Sequence, residues 1–334
     1  MISKTVRRGL FLASLAALAG CNMVVLNPSG DIAKQQADLI VISVLLMAII
    51  IVPVMILTVV FAIKYRKGNN EKYEPDWDHS TKLELVIWGV PLLIIIALGV
   101  ITWISTHKLD PYRPLERLDA NRPIPASTKP LEVQVVSMDW KWLFIYPEQG
   151  IATVNELVTP VDVPIRFKLT STHVMNTFYV PALAGMIYTM AGMETQLNAV
   201  MNEEGVYKGF SGNYSGAGFS GMRFDHKGVS QAEFDRWVQS VKAGGGSLDR
   251  DNYLELEKPS VSEPVRLYGS VDPTLYRKIL NLCVPEGTVC MDEQMHADAN
   301  RGRMPAAQEQ PQDVAAHSAA VEEGQASPTH HVKK

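Results

Sequence analysis

The side chains able to bind a soft metal or to form a covalent bond are few and widely spaced in this chain. Only three cysteines occur among 334 residues, at Cys21, Cys283 and Cys290, too few for a disulfide scaffold or a zinc module. Soft copper sites of the electron-transfer kind depend on cysteine sulfur. Cys283 and Cys290 are seven positions apart, and the sequence leaves open whether they form a disulfide or remain two reduced thiols.

Two histidines, His173 and His226, lie in the part of the chain that is rich in short apolar runs. They could bind a metal ion, but a pair of histidines without cysteine or carboxylate partners more often consists of exposed polar side chains. The sequence therefore favours exposed side chains at both positions. The net charge of −4 is mild and argues against a nucleic-acid partner.

The N-terminus has the order of a bacterial secretory signal. Basic residues in the first eight positions precede a short apolar run, Leu10 to Leu18, which is too short to span a bilayer. The run ends in Leu-Ala-Gly before Cys21, which resembles a lipoprotein signal whose cysteine is lipidated and becomes the mature N-terminus. The alternative is an ordinary signal peptide with an incidental cysteine. A lipid there would add to membrane attachment rather than supply it.

Two long apolar runs, Leu39 to Ile63 and Leu85 to Ile104, predict a transmembrane hairpin. Each contains a proline that neighbouring helices can accommodate. Five basic residues lie between the runs, so the positive-inside rule places this loop in the cytoplasm and both chain ends outside. They are Lys64, Arg66, Lys67, Lys72 and Lys82. Three tryptophans suit interfacial belts, with the alternative that Trp88 faces a partner; they are Trp77, Trp88 and Trp103.

A proline-rich segment, Asp110 to Pro130, follows the second run and predicts a stiff linker. From Leu131 the apolar period becomes two, with a change of face near 136–139 that suggests a bulge. Further short strands are expected at 165–169, 177–180, 195–200 and 207–210, which together predict a small sandwich or barrel.

Helices are expected after the strands. Ser230 and Glu233 form a capping-box pattern, and apolar residues follow at helical spacing up to 241. Asp272 and Pro273 predict the N-cap and first position of another helix, with Leu282 among its apolar positions. From Met291 the composition predicts a disordered tail. Its histidines are too scattered to predict a metal site; they are His296, His317, His330 and His331.

These patterns divide the chain into nine predicted parts. They are a signal peptide (1–20), a lipidated periplasmic N-terminus (21–36), a first transmembrane helix (37–64), a cytoplasmic loop (65–82), a second transmembrane helix (83–106), a linker (107–129), a periplasmic β-domain (130–227), a helical C-terminal extension (228–290) and the disordered tail (291–334).

Four stretches within this layout resemble subunit II of the haem-copper oxidases, most closely the copper-free, bo-type ubiquinol oxidase branch. They are Lys64-Tyr-Arg66, His79 to Trp88, Met138 to Trp142 and Tyr214 to Met222. The resemblance covers most of the chain, up to about Cys290. It implies a two-helix hairpin followed by an all-β, cupredoxin-like Greek-key barrel without copper. It also implies a large partner subunit that carries the haems and one copper.

The most specific of these stretches stands where the cytochrome c branch carries a two-copper loop. That loop reads Cys, Ser, Glu, x, Cys, Gly, x, x, His, x, x, Met, and a further histidine lies earlier in the domain. The corresponding positions here are Tyr214 and Gly218 for the cysteines, Gly216 for the glutamate, Met222 for the histidine, Asp225 for the methionine and Asn176 for the early histidine. The resemblance therefore implies no metal or other cofactor in this chain.

Trp140 and Trp142 lie in a strand whose aromatic residues receive electrons from cytochrome c in the copper-binding branch. Without a copper centre to accept the electrons, these aromatic residues cannot serve as an electron-transfer route. Their positions in the alternation of the strand predict that both side chains point inward, into the barrel core.

Glu84 lies at the cytoplasmic start of the second span. In the family, a glutamate at this place stands at the entrance of a proton channel in the large subunit, and a carboxylate near a membrane face is suited to proton uptake. The alternative is a charged residue that ends the span at the headgroups and pairs with Lys82. The sequence leaves both open.

The resemblance implies a non-catalytic subunit 2 of a proton-pumping ubiquinol oxidase in the bacterial inner membrane. Its implied partners are the large subunit I, further oxidase subunits, membrane lipids and, through the complex, ubiquinol, but not cytochrome c. A copper-binding cytochrome c oxidase subunit is the first alternative, and the loop lacks the thiolates that it needs. An unrelated membrane-anchored lipoprotein is the second alternative, because a fold does not determine a function.

Overall fold

The computed structural model describes residues 23–66, 78–125 and 127–301. The predicted signal peptide with Cys21, the middle of the loop between the apolar runs, and the chain after 301 lie outside the described residues. The positions singled out above that fall there, besides Cys21, are Lys67, Lys72, Trp77, His317, His330 and His331.

Two long helices contain the apolar runs. After a short 3-10 turn at Val24–Leu26, helix α1 spans Asp31–Lys64, and helix α2 spans Thr81–Lys108. Their most apolar windows have mean hydropathies of 3.2 and 2.7, and none of those residues is buried within the chain. Both helices are long and apolar enough to cross a membrane. Apolar side chains that remain exposed on all sides require lipid or a partner around them.

The proline-rich segment is fixed to the β-domain by specific contacts. Strands β1 (Arg117–Asp119) and β2 (Arg122–Pro123) form a small hairpin within it. Arg122 forms a two-bond ion pair with Asp162 at 2.7 and 2.8 Å. This differs from the expected spacer, since contacts and not proline stiffness alone hold the segment in place.

The β-domain is built from ten further strands. They are β3 (Leu131–Met138), β4 (Lys141–Tyr146), β5 (Ile151–Val154), β6 (Glu156–Pro160), β7 (Ile165–Ser171), β8 (Asn176–Tyr179), β9 (Ile187–Thr189), β10 (Thr195–Ala199), β11 (Gly205–Ser211) and β12 (Arg223–Val229). Two more strands, β13 (Gly246–Leu248) and β14 (Arg266–Val271), come from the C-terminal extension.

These strands form two sheets that enclose the main core. The seven-stranded sheet has the order β10-β7-β3-β4-β5-β14-β13, and the five-stranded sheet has the order β6-β12-β11-β8-β9. Aromatic rings fill the space between them. Phe178 and Phe224, both from the smaller sheet, stack at 5.4 Å, and Trp142 from β4 meets both rings edge-on at 5.6 and 5.7 Å. The predicted all-β domain is confirmed, and it consists of two sheets.

The change of face near 136–139 is a chain reversal and not a bulge. Strands β3 and β4 pair antiparallel as far as Met138 opposite Lys141, so Asp139 and Trp140 form a two-residue turn. Trp140, the second residue of this turn, has φ of 69°, a left-handed backbone conformation that is uncommon for residues other than glycine. The bulge prediction was wrong because a tight hairpin and a bulge both interrupt a period of two.

Helix α3 (Gln231–Gly244) begins as predicted. Ser230 and Glu233 form the reciprocal capping box, and Phe234, Val238 and Val241 are buried. The extension continues with α4 (Arg250–Glu257) and α5 (Leu275–Leu280). It also supplies β13 and β14, which the sequence analysis missed because β14 is largely half-exposed and lacks a clear period of two.

The helix predicted from Asp272 differs from the observed one at both ends. Helix α5 begins at Leu275 after Thr274, because Asp272 accepts hydrogen bonds from the Thr274 backbone and hydroxyl in a turn before the helix. Leu282 lies beyond its end and is exposed. Helix α6 (Met291–Arg301) occupies the first eleven residues of the predicted disordered tail, and the rest of that tail lies outside the described residues. Strong helix formers and two acidic residues in the first turn explain this helix.

Candidate functional site

The loop between β11 and β12, residues 212–222, lies at one end of the β-domain. It is tied to its flanking strands through the backbone. The Gly212 amide donates to the Thr177 carbonyl at 3.2 Å, and the Ser211 amide donates to the Met222 carbonyl at 3.3 Å. A 3-10 turn at Phe219–Gly221 returns the chain to β12. These backbone hydrogen bonds and the 3-10 turn give the loop a defined conformation.

Trp140 fills the space inside this loop. Its indole Nε1 donates to the Ser215 carbonyl at 3.0 Å. A Cβ atom on Gly218 would lie 2.3 Å from Cδ2 of the indole, and one on Gly216 would lie 3.2 Å from Cζ2. Gly216 also has φ of 108°, which side chains disfavour. The loop therefore closes over Trp140 only because both positions are glycine.

This packing corrects the prediction for one of the two tryptophans. Trp142 is completely buried in the barrel core, as expected. Trp140 lies in the β3–β4 turn, partly exposed, and packs against the edge of that core and the loop. Trp140 lies outside the barrel core because the strand period does not extend through a hairpin turn.

The remaining positions that correspond to copper ligands are each engaged elsewhere. Asn176 is buried at the start of β8, where it accepts a hydrogen bond from the Ser211 hydroxyl at 3.1 Å. Met222 is buried in the apolar core. Asp225 lies in β12 and forms an ion pair with Lys208 at 2.6 Å.

Tyr214 has the opposite environment from these buried residues. Its side chain is 75% exposed and meets the Phe219 ring edge-on at 5.6 Å. Across the described parts of the chain, no three histidine, cysteine, aspartate or glutamate side chains are grouped so as to hold a metal ion. The six positions are thus separate in environment, and their side chains offer no cluster of soft donors.

His226 is buried, which contradicts the expectation of an exposed side chain. Strand β12 directs residues 224, 226 and 228 inward, and the His226 imidazole is 0% exposed. Its Nε2 lies 2.8 Å from the Thr159 hydroxyl, while Nδ1 has no hydrogen-bond partner in the described structure. Burial lowers the pKa of His226 to about 3, because the charged ring would lose its hydration.

His173 lies in a different environment, at the surface. It is 56% exposed, and its Nδ1 lies 3.5 Å from the Asp139 carboxylate. One histidine is therefore an exposed polar residue as expected, and the other is an internal group. Alternation along β12 was the signal that could have identified the second one.

Glu84 lies in the first turn of α2, where its carboxylate pairs with a histidine. Its Oε1 is 2.6 Å from Nδ1 of His79, and its side chain is 48% exposed. Nε2 of the same imidazole lies 3.3 Å from the Thr81 hydroxyl. The expected alternative partner was Lys82, but the carboxylate contacts His79, five residues earlier in the chain. Two groups able to exchange protons are therefore in direct contact at this end of the hairpin.

A second polar cluster, which the sequence analysis missed, joins α1 to the β-domain. Asp31 is only 4% exposed and accepts two hydrogen bonds from Arg117, at 3.0 and 3.1 Å, and one from Gln35 at 2.7 Å. The Gly30 amide donates to the Ala182 carbonyl at 2.8 Å. A Cβ on Gly30 would lie 2.6 Å from the Leu183 carbonyl oxygen, so only glycine fits here.

This α1–domain joint fixes the β-domain to the start of helix α1. An Asp after a glycine at a helix start is visible in the sequence as a favourable first-turn residue. Its partner is 86 positions away, and nothing in a single sequence indicates that pairing.

The alternatives left open for the two C-terminal cysteines are also resolved. Cys283 and Cys290 are both disulfide-bonded, so neither is a reduced thiol.

Known proteins resemble the chain over most of its length. The family model for the periplasmic domain of cytochrome c oxidase subunit II matches residues 147–229, and the model for the COX aromatic-rich motif matches residues 242–287. Cytochrome bo(3) ubiquinol oxidase subunit 2 of Pseudomonas putida is 50% identical over 79% of this chain and 82% of its own length. Ubiquinol oxidase subunit 2 of Acetobacter aceti is 48% identical over 80% of this chain and 85% of its own length.

A more distant likeness is found among solved structures. The periplasmic domain of cytochrome oxidase subunit II of Bradyrhizobium japonicum is 23% identical and covers 34% of this chain and 94% of that domain, with a TM-score of 0.33. The predicted family and the predicted cupredoxin-like domain rest on the family models and the relatives above.

Proposed function

The chain belongs to the subunit 2 family of bo-type ubiquinol oxidases, and from this membership we propose that it is the second subunit of a membrane complex that transfers electrons from ubiquinol to oxygen. The complex belongs to the aerobic respiratory chain and couples the reaction to proton pumping. The haems and the single copper that carry the oxygen chemistry belong to the large subunit I.

We propose further that this chain takes no direct part in electron transfer. The single observation that carries this proposal is the packing of Trp140 into the loop at 212–222. An electron relay through the external domain needs a metal centre with thiolate ligands at that loop, and glycines closed over an indole occupy the place. Quinol reaches the large subunit within the membrane, so cytochrome c has no docking role here.

The role that remains is structural. Both long helices leave their apolar windows uncovered, which suits packing against subunit I, further oxidase subunits and membrane lipids. The α1–domain joint holds the external domain on the first of these helices through a buried charge pair. A non-catalytic subunit that assembles and orients the complex needs these features and no cofactor of its own.

Glu84 is proposed as a proton-entry residue at the cytoplasmic face. Its contact with His79 at 2.6 Å, together with its half-exposed position, lets it accept protons from water and keep them near the membrane surface. The alternative, a carboxylate that only ends the span, predicts no loss of turnover on its removal.

The chain is proposed to lie in the bacterial inner membrane with two spans and with both ends in the periplasm. The basic loop between the spans supports this orientation. Cleavage of residues 1–20 and lipidation of Cys21, with palmitate among its acyl chains, would place a lipid ten residues before Asp31, where α1 begins. A lipid that close to the first span reinforces membrane attachment.

The test is purification of the intact complex in mild detergent through a tag on the C-terminal tail. We expect co-purified haem, one copper per complex, and oxygen uptake with ubiquinol but not with reduced cytochrome c. Additional copper with cytochrome c activity would show that the loop had been misinterpreted. A haem-free preparation in several mild detergents would favour the unrelated lipoprotein.

A further inference from the structure

A cavity of about 470 Å³ opens between the start of α1, the end of α2 and the segment after α2. Its walls differ in chemistry. Ile32, Trp103 and Ile104 make one side apolar, whereas His107 and Lys108 lie one helical turn further along α2 and make the other side polar. An amphiphilic ligand matches such a gradient better than a purely polar or purely apolar one.

The position of the cavity along α2 places it at the membrane surface. The apolar run of this helix ends at Ile104, and His107 and Lys108 occupy its last turn. Trp103 is 71% exposed and contacts the His107 ring at 4.6 Å between centroids. Tryptophan at the end of an apolar run is characteristic of the headgroup level. The ligand that meets the cavity there in highest concentration is a phospholipid.

The charges that line the cavity are balanced. The acids and bases number three each; they are Asp31, Asp110, Glu116, Lys108, Arg113 and Arg117. Two pairs are internal, since Arg117 binds Asp31 and Arg113 binds Glu116 at 2.6 Å. Within the described ranges, no ion pair engages Lys108 or Asp110. Lys108 and Asp110, which are two positions apart in the chain, are thus available to pair with charges of a ligand.

We propose that this cavity binds one zwitterionic phospholipid with a primary ammonium headgroup, of the phosphatidylethanolamine class. Its phosphate is held by Lys108 and its ammonium by Asp110. The first part of an acyl chain lies along Ile104 and Trp103. The phosphate of an anionic lipid such as phosphatidylglycerol can pair with Lys108, but it leaves Asp110 beside a second negative charge. The balance of charges in the cavity therefore favours a zwitterionic headgroup.

The site concerns lipid binding and is independent of the electron-transfer role proposed above. It also differs from general attraction of lipid to a basic surface, because it requires a positive and a negative group together. This requirement provides two variants with different expected outcomes, Lys108→Gln for the phosphate contact and Asp110→Asn for headgroup selectivity. In Asp110→Asn the side-chain oxygen that accepts from the Tyr112 amide at 2.8 Å is retained.

The experiment uses the intact complex in bilayers of equal phosphatidylethanolamine and phosphatidylglycerol. Each lipid is supplied in turn with a photoactivatable diazirine on its acyl chain near the glycerol. After irradiation, mass spectrometry quantifies labelling of the peptide that covers Trp103 to Arg113, relative to the peptide at the start of α2. We expect more labelling by the ethanolamine probe than by the glycerol probe. Lys108→Gln should reduce ethanolamine-probe labelling about fivefold, and Asp110→Asn should remove the preference for ethanolamine.

Lys34→Gln is the matched control, because Lys34 is an exposed lysine on α1 at the same membrane face but outside this cavity. Its labelling pattern should equal that of the unchanged chain. Equal loss in Lys34→Gln and Lys108→Gln would indicate only surface charge. Unchanged labelling in Lys108→Gln, or a cross-link from this peptide to another subunit in place of lipid, would overturn the proposal. Haem content and ubiquinol oxidation are recorded separately, and the full chain alone in the same bilayers repeats the measurement where a complex fails to assemble.

Discussion

The buried imidazole of His226 gives the domain a pH dependence that can be calculated from its surroundings. In the folded chain its pKa is lowered to about 3, whereas in the unfolded chain it has its ordinary value of 6.5. Well above pH 6.5 the ring is neutral in both states and does not affect the free energy of unfolding. As the pH falls below 6.5, His226 binds a proton in the unfolded chain but not in the folded chain. Stability is therefore lost progressively down to pH 3.

The size of the effect follows from the slope of one proton. Each pH unit within that window changes the free energy of unfolding by about 1.4 kcal/mol, a factor of about ten in the equilibrium constant. Because the unfolded imidazole is already half protonated at pH 6.5, the His226 contribution destabilises the domain by about 2.3 kcal/mol between pH 6.5 and 4.5. His226→Gln removes this titration but keeps a side chain able to reach the Thr159 hydroxyl. The variant should be less stable than the unchanged chain at neutral pH, since it repacks a buried site.

Amide hydrogen exchange of the peptide covering β12, measured on the intact complex, isolates this effect. The ratio of exchange rates between the variant and the unchanged chain cancels the intrinsic pH dependence of exchange. That ratio should be nearly constant well above pH 6.5 and should fall about fiftyfold between pH 6.5 and 4.5, because only the unchanged chain loses stability. A ratio that stays flat over this range would refute the assignment of a neutral, buried imidazole.

Three further perturbations act on other parts of the chain. Arg117→Met leaves the Asp31 carboxylate buried without its counter-charge and should cost about 2–4 kcal/mol, read as faster proteolysis between α1 and the β-domain. Gly218→Ala forces a methyl group against the Trp140 ring and should cost about 1–3 kcal/mol, read as greater hydrogen exchange in the loop at 212–222. Glu84→Gln should lower ubiquinol oxidation and proton uptake, most strongly at alkaline pH where protons are scarce, without loss of haem.

Each of these variants has a matched control. Arg113→Met breaks an ion pair whose acid is 75% exposed and should change stability by less than about 1 kcal/mol. Gly246→Ala adds a methyl group to a site with no atom within 4 Å and should be tolerated. Lys82→Gln removes a charge beside the start of α2 and should leave turnover unchanged. An effect of any control equal to that of its partner variant would contradict the corresponding structural explanation.

The family and the general architecture were predictable because they depend on local patterns. Apolar runs longer than a bilayer is thick, a period of two in β3 and β7, and the capping box of α3 are each visible within a few residues. The loop at 212–222 was recognisable because its spacing is retained while its donor atoms are replaced. Wrong predictions occurred where one local pattern has two structural solutions, as in the turn at Asp139 and Trp140.

The sequence by itself determined which chemistry this chain lacks, because a thiolate ligand is a property of residue type and the loop contains none. It also determined the two apolar helices and the alternating strands, because their periods are local. Only the tertiary structure decided that Trp140 fills the loop, that Asp31 meets Arg117 and that His226 lies inside. Each of these depends on which distant segments pack together, and the free energy of a buried ring or charge is set by those neighbours rather than by its position in the chain.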